Sequence, residues 1–246
     1  MNRPRRALLL DTETTGVDPK TDRIIEVAVC LYDLALGSSI AVFSALARGD
    51  SNAAEHVNGI SVALLSEAFA QERVWVGVCE LMAHADVILA HKASFDRSFL
   101  SVDQGFLETW KAVGGEREAA HDFPTPPWVC THSHITWPGT EAGSKTSNNL
   151  TSLALSYGVG VLSAHRAMVD VDILARVLTR LKERGTDLQA LVGSAMAPRV
   201  KLQALVSFDN KDLAKAAGFS WEPTSKRWLK ECTADEKFNF KTKAVL

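Results

Sequence analysis

Cysteine is scarce, with four residues (Cys30, Cys79, Cys130 and Cys232) scattered through 246 without paired spacing. A chain of this length needs no covalent staples, so the scarcity excludes a disulfide framework and makes reduced thiols in a cytoplasmic compartment the expectation. Long apolar runs are missing too. Ala7-Leu8-Leu9-Leu10 follows Arg3, Arg5 and Arg6 in the manner of a secretory leader, but Asp11 ends the run far short of a leader's apolar core. No other stretch approaches bilayer-crossing length, so no membrane partner is expected. Net charge is almost absent: 27 basic and 29 acidic residues leave −2, which taken alone points away from a nucleic-acid binder. Repeats and low-complexity tracts are also lacking, and 46% apolar with 23% charged residues excludes a disordered chain or a fibre. The length suits one large or two modest domains of roughly 100–200 residues each.

What is present is a meander of strands that gives way to alternating helices and strands. Residues 6–12 form a continuous apolar run, expected of a central strand covered on both faces, and Gly16-Val17-Asp18-Pro19 closes it. Residues 24–32 alternate, and after the turn Leu36-Gly37-Ser38-Ser39 a third strand spans 40–47. Helical periodicity covers 61–70 and 74–85, a strand covers 87–90, and a helix opens near Ser94. Gly114-Gly115 and Pro124-Thr125-Pro126-Pro127 bracket a loop, 128–131 is a fifth strand, 138–149 is a polar loop, and helices span 150–157 and 167–184. Three strands followed by β-α units predict an α/β fold, a mixed sheet flanked by helices.

Near residue 197 the character shifts. From 199 to 246 ten Lys or Arg accompany six Asp or Glu, giving +4 and leaving −6 on the rest. The sequence therefore divides into a domain over 1–198 and a small basic α+β module over 199–246. The module reads as a strand, a helix over 209–217 stopped by Gly218, and a hairpin over 219–229 turning at Pro223-Thr224-Ser225. Trp221 and Trp228 would face each other across that hairpin or pack on the helix. With few other large residues available, both are expected in the module's core, while Lys201, Lys211, Lys215, Lys226, Arg227 and Lys230 are offered to nucleic acid.

Acids stand where apolar residues belong. Asp11 and Glu13, at i and i+2 of the first strand, leave the same face of the sheet. Burying two carboxylates side by side costs several kcal/mol each unless a cation compensates; alternatively, Glu13 lies in the turn and the pair is ordinary surface. Asp96 shares a helix face with Phe99 and Leu100, and Asp170 heads the stripe Leu174, Val177 and Leu181, whereas Asp172 points elsewhere. Acids placed repeatedly on inward faces suggest a shared cation. An oxygen-only donor set suits Mg²⁺ or Mn²⁺, and two such ions about 3.5–4 Å apart serve phosphodiester hydrolysis. His165, just ahead of the helix carrying Asp170, is a candidate proton acceptor with an ordinary pKa of about 6.5. Cys130-Thr131-His132-Ser133-His134, with His121, offers a zinc alternative. It lacks paired ligand dyads, and alternate residues on a strand give poor tetrahedral geometry.

Asp11-Thr12-Glu13-Thr14-Thr15-Gly16, His91-Lys92-Ala93-Ser94-Phe95-Asp96 and His165-Arg166-Ala167-Met168-Val169-Asp170 resemble, in order, the three motifs of the DEDDh exonucleases, across about residues 6–184. The resemblance implies an RNase H-like fold, a five-stranded mixed sheet with helices on both faces. It implies two metal ions on Asp11, Glu13, Asp96 and Asp170, His165 as general base, and release of nucleoside monophosphates from a 3′ end. DNA with single-stranded or frayed ends stands ahead of RNA as substrate, with a ribonuclease of the same fold or a vestigial accessory binder as alternatives. The complete set of four acids and a histidine argues against the vestigial one. A polymerase or repair partner is not identified.

His56-Val57-Asn58-Gly59-Ile60-Ser61 is similar to the segment that abuts the terminal nucleotide in relatives, which makes Asn58 and Ile60 candidate base contacts. Thr12 and Thr14 of the first motif are further candidate substrate contacts. Lys92 stands where the family often has Asn, and either meets the phosphate backbone or is solvated. The tail resembles a small module found behind some exonucleases and in other DNA-processing proteins.

Overall fold

The structure, a computed structural model, describes residues 3–113, 125–139, 149–161, 166–233 and 236–245. Gly114-Gly115, His121, Pro124, most of the polar loop after 138, and His165 lie outside the described residues. The described residues fall into two compact units that divide at Met196 and Ala197.

In chain order the first unit runs β1 (Arg6–Thr14), β2 (Ile24–Asp33), β3 (Ser38–Leu46), α1 (Glu55–Asn58), α2 (Val62–Ser66), α3 (Gln71–Met82), β4 (Val87–Ala90), α4 (Ser94–Leu100), α5 (Gln104–Val113), β5 (Trp128–Cys130), α6 (Leu150–Ser156), α7 (Ala167–Glu183) and α8 (Leu188–Ala195). The strands form one five-stranded sheet in the order β3-β2-β1-β4-β5. β2 pairs antiparallel with β1 and β3, while β4 pairs parallel with β1 and β5. This is the mixed sheet expected of an RNase H-like fold.

The sheet is rigid because both faces are buried. Ala7, Leu9, Ala28, Cys30 and Tyr32 pack against Val171, Leu174, Val177 and Leu178 of α7. Leu8, Leu10, Val27, Val29 and Leu31 pack on the other face against α3 and α5, through Trp75, Val78, Phe106 and Trp110. Each fully buried side chain of this size contributes roughly 1.5–3 kcal/mol. All ten residues of β2 are buried, so its alternation divides two cores rather than core from solvent. No helix among the described residues is long and apolar enough to cross a membrane.

Several boundaries differ from the sequence expectation. β1 continues to Thr14, which puts Glu13 on the strand and not in a turn. Only Val62–Ser66 of the segment 61–70 is helical, because the Ser61 side chain caps it and the chain then bridges from Phe69 to Ala47. α3 begins at Gln71, three residues earlier than its periodicity indicates. α1, α5 and α8 went unrecognised, although α5 and α8 carry legible signals: Asp103 accepts from the Phe106 amide at 2.8 Å, and Asp187 accepts from the Ala190 amide at 3.1 Å.

The second unit contains β6 (Arg199–Ala204), a 3₁₀ turn (Phe208–Asn210), α9 (Lys211–Ala216), β7 (Ser220–Glu222), β8 (Arg227–Thr233) and β9 (Thr242–Ala244). Its sheet order is β7-β8-β6-β9, with β9 an addition to the sequence reading. Its core is built on Phe219, with Ala204 and Ala214 buried beside it. Phe219 lies edge-on to Phe238 and Phe240 at 5.1 and 5.5 Å. Trp221 and Trp228 do face each other across the hairpin, 5.6 Å apart, but only Trp228 joins the core; Trp221 is 47% exposed. The phenylalanines supply the bulk that the two tryptophans were expected to supply.

Gly77 of α3 marks the tightest helix-on-sheet contact, since a Cβ there would come within 2.6 Å of the Phe43 ring on β3. Alanine in a helix interior ordinarily gains about 1 kcal/mol over glycine. At this position a rigid ring must move, and overpacking of this kind costs about 1–3 kcal/mol. Gly77→Ala is therefore expected to lower the urea midpoint; an unchanged or higher midpoint would contradict the packing account.

Candidate active site

The parallel strands β1 and β4 end on the same side of the sheet, where an open α/β sheet leaves its crevice. A cleft of about 540 Å³ opens there, lined by Asp11, Thr12, Glu13, Asp96 and Asp170 together with His91 and Lys92. Asp11 and Glu13 leave one face of β1, opposite Ala28 and Glu26 of β2. Asp170 comes from the first turn of α7, and Asp96 from the first turn of α4. Ligand atoms of Asp11, Glu13 and Asp170 all lie within 4.8 Å of one another. Asp96 lies outside that trio but is the nearest in effect, exerting the largest charge influence on Asp11.

The electrostatics are those of a site in need of cations. Burial, then the charges of Asp96, Asp170, Glu13 and Glu26, raise the Asp11 carboxyl well above its ordinary range. Burial likewise pushes Glu13 up to about 7, with Glu26 and Asp170 adding to the shift and Arg166 opposing it. Asp96, buried, is pushed up to about 7 by desolvation against the pull of Thr12, whose hydroxyl donates to Asp96 Oδ1 at 2.8 Å. Oxygen-only donors with this excess of negative charge fit a hard divalent ion.

Other sequence candidates occupy distinct places. Thr14 is buried, and its hydroxyl donates to the Gly16 carbonyl. Asn58 is buried and committed to its own loop: its amide donates to the Thr14 carbonyl at 3.2 Å and accepts from Asn52 Nδ2 at 2.9 Å and the Ile60 amide at 3.1 Å. Ile60 is fully buried in a small cluster with Ile25 and Leu65. In this structure the two side chains hold the loop against the end of β1. Lys92 is exposed at the cleft with φ 72°, a left-handed conformation that asparagine tolerates better than lysine. Asp172 pairs with Arg176 at 3.7 Å on the solvent side.

Among the described residues, which do not include His121, the zinc alternative finds no geometric support. His134 Nδ1 accepts from the Cys130 amide at 3.2 Å, and His132 packs edge-on against His91. Among the described residues, the cluster able to hold a metal is the acidic one. His91 Nδ1 lies 3.0 Å from the buried Thr131 hydroxyl, which pins the end of β4 to the segment after β5.

Glu26 and Arg166 escaped the sequence reading. Glu26, 3% exposed and opposite Glu13 across the β1–β2 ladder, accepts from Arg166 Nε at 2.9 Å and Nη2 at 2.8 Å, and from the Ala167 amide at 3.1 Å. The signal was available: Glu26 interrupts the apolar run Ile24-Ile25-Glu26-Val27, just as Asp96 and Asp170 interrupt theirs.

The family model described as Exonuclease matches residues 8–178, and the chain belongs to that family, of the DEDDh type. A second model, for a domain of unknown function, matches residues 200–245. The chain is similar to the DNA polymerase III subunit epsilon of Treponema pallidum, 26% identical over 204 residues, covering 78% of this chain and 83% of that protein. It is also similar to DNA polymerase III PolC-type of Thermotoga petrophila, 28% identical over 177 residues; the match covers 72% of this chain but only 12% of the polymerase. Among solved structures, the nuclease domain of 3′hExo, a DEDDh family member bound to rAMP, aligns with TM-score 0.55 at 17% identity, covering 75% of this chain and 94% of that one. That likeness is one of fold.

The raised carboxyls have a consequence for stability without metal. Between the ordinary carboxyl range and about pH 7 the folded protein retains protons on Glu13 and Asp96 that the unfolded chain has released. Stability contributed by these groups is therefore present at low pH and lost as pH rises through the folded pKa. In EDTA, wild-type Tm should fall from about pH 5 to about pH 8 relative to Asp96→Asn, whose side chain cannot ionise. A difference that is flat or grows in the opposite sense would contradict the assignment.

Proposed function

We propose that the chain is a metal-dependent 3′→5′ exonuclease that hydrolyses DNA from single-stranded or frayed 3′ ends to nucleoside monophosphates. The convergence of Asp11, Glu13 and Asp170 oxygens within 4.8 Å, with buried Asp96 beside them, is the observation that carries this reading. These four acids would hold two Mg²⁺ or Mn²⁺ ions. Such ions, when bound, stabilise negative charge developing on the attacking and departing oxygens of a phosphodiester.

The chain's own residues orient the rest. His165, assigned from its place in the third motif, accepts the proton of the attacking water. The Lys92 ammonium meets the phosphate backbone at the cleft. Thr12 and Thr14 have committed hydroxyls, so they offer a nucleotide the backbone at the end of β1. The curated relatives are components of DNA polymerase III, which favours DNA as substrate and a polymerase as the class of partner. An exoribonuclease of the same fold is the alternative, because such a metal site does not read the 2′-hydroxyl.

Within this reading, residues 1–198 are the catalytic domain and 199–246 an accessory nucleic-acid contact. Supporting the latter, the Phe208 ring is 79% exposed with Lys211 Nζ 4.0 Å above it, and Trp221 is half-exposed in a segment whose charges sum to +4. Exposed rings stack on bases and lysines neutralise phosphates.

Incubation with 3′-labelled and 5′-labelled DNA and RNA oligonucleotides tests the activity. Mg²⁺ should give immediate release of a 3′ label and a descending ladder from 5′-labelled DNA, and EDTA should abolish both. Degradation in EDTA, or none with either Mg²⁺ or Mn²⁺, sinks the proposal. Asp11→Ala should lose Mn²⁺ binding and turnover together, whereas His165→Ala should keep Mn²⁺ binding and lose about 10²–10⁴-fold in turnover.

The accessory contact makes a separate prediction. Combined Phe208→Ala and Lys211→Ala substitutions should weaken single-stranded DNA binding and reduce the slope of log affinity against log salt by about one contact's worth, ~0.7. Unchanged affinity across salt would leave the second unit without that role.

A further inference from the structure

Three carboxylates drawn together at the end of a buried sheet repel one another, and something in the protein must oppose that repulsion. Asp170 is the member most easily displaced, because it sits in the first turn of α7, whereas Asp11 and Glu13 are fixed by the β1–β2 ladder. Helix α7 begins at Ala167, and its N-cap residue Arg166 makes no capping bond with its own side chain. The amide of Ala167 is one of the donors that a helix start leaves without an intrahelical partner. Glu26 accepts it from across the sheet at 3.1 Å.

The same carboxylate holds both edges of the Arg166 fork, at 2.9 and 2.8 Å. Arg166 in turn offers its carbonyl to the amides of Val169 and Asp170, at 2.9 and 3.1 Å. A continuous set of bonds thus runs from β2 through Glu26 and Arg166 to the backbone of Asp170. A bidentate guanidinium–carboxylate pair fixes orientation as well as distance. Glu26 also lies directly across the ladder from Glu13, so both ends of the connection abut the acid cluster.

Resting on the functional reading above, we propose that Glu26 and Arg166 are positioning residues: Glu26 caps helix α7 from the neighbouring strand and, through the Arg166 fork, holds Asp170 within metal-sharing distance of Asp11 and Glu13. Neither is a metal ligand. Their effect is to preorganise the site before any ion arrives, as partners of metal ligands generally do.

Two variants separate geometry from charge. Glu26→Gln removes the carboxylate charge and the fork; Arg166→Lys keeps both charges and loses only the fork. Mn²⁺ affinity is measured calorimetrically on protein verified as folded by circular dichroism, alongside kcat and KM on a single-stranded DNA oligonucleotide. Both variants should bind Mn²⁺ about 10–100-fold more weakly than wild type and show reduced kcat with KM little changed. The double variant should be no worse than the weaker single one, since the two residues act as one unit.

Mn²⁺ affinity and kcat equal to wild type in folded Arg166→Lys, with any loss confined to Tm, would overturn the proposal and leave a purely structural ion pair. Additive losses in the double variant would overturn the claim of a single unit. Should Glu26→Gln fail to fold, Arg166→Lys alone decides the matter. A wild-type protein that neither binds Mn²⁺ nor degrades DNA would instead defeat the functional reading, which keeps the two failures apart.

Discussion

Mutual repulsion among carboxylates at the edge of a buried sheet is the constraint around which the first unit is organised. Asp11, Glu13 and Asp170 would separate if carried on loops, because each gains solvation by moving apart. The chain opposes this by placing Asp11 and Glu13 on a strand in the middle of the sheet and tying the start of the helix that carries Asp170 to β2. β1 is anchored by antiparallel pairing on one side and parallel pairing on the other, and both of its faces are covered by helices. The apolar residues of β1, Ala7 to Leu10, are thus the support on which Asp11 and Glu13 are held. Burial then raises the affinity of those acids for any positive charge, whether proton, arginine or divalent ion.

Arg166 illustrates how such a site is balanced. Its guanidinium opposes the upward shift of Glu13 while its carboxylate partner Glu26 adds to it, so the pair places a nearly neutral group beside the cluster and spends its strength on geometry. The remaining excess of negative charge stays with Asp11, Glu13, Asp96 and Asp170, where cations are useful. A structural ion pair adjacent to the acids thereby leaves the site's appetite for metal intact.

How legible all this was in the sequence depended on whether each feature is local. Asp11 and Glu13 announced themselves because they end an unbroken apolar run, and Asp96 and Asp170 because each heads a helical stripe. These are patterns within a single element, and the five-stranded mixed sheet followed from the order of such patterns. Glu26 was harder to read for a physical reason: although it interrupts an apolar run, its partner lies 140 residues away, and in a strand buried on both faces one acid looks like the polar half of an alternation. Asn58 is a polar residue whose side chain is bonded to Asn52, to the Ile60 amide and to the Thr14 carbonyl of β1, a set of partners that no single-element pattern announces. Trp221 departs from its expected place for a similar reason, since the core of the second unit is filled by Phe219, Phe238 and Phe240, residues with no periodic relationship in sequence.

Net charge was the least informative quantity of all. A total of −2 arises from an acidic first unit and a basic second unit whose charges nearly cancel in the sum. Within the acidic unit, part of the deficit belongs to carboxylates held together at an energetic cost that protons or bound cations can offset. Once cations occupy them, those same residues attract phosphate where the bare carboxylates would repel it. On the proposed reading the basic unit would need no such conversion, because its lysines and exposed rings carry positive charge and stacking surface themselves. On the same reading, two opposite formal charges would meet one polyanion by different means: one through ions it must first acquire, the other through side chains it already has.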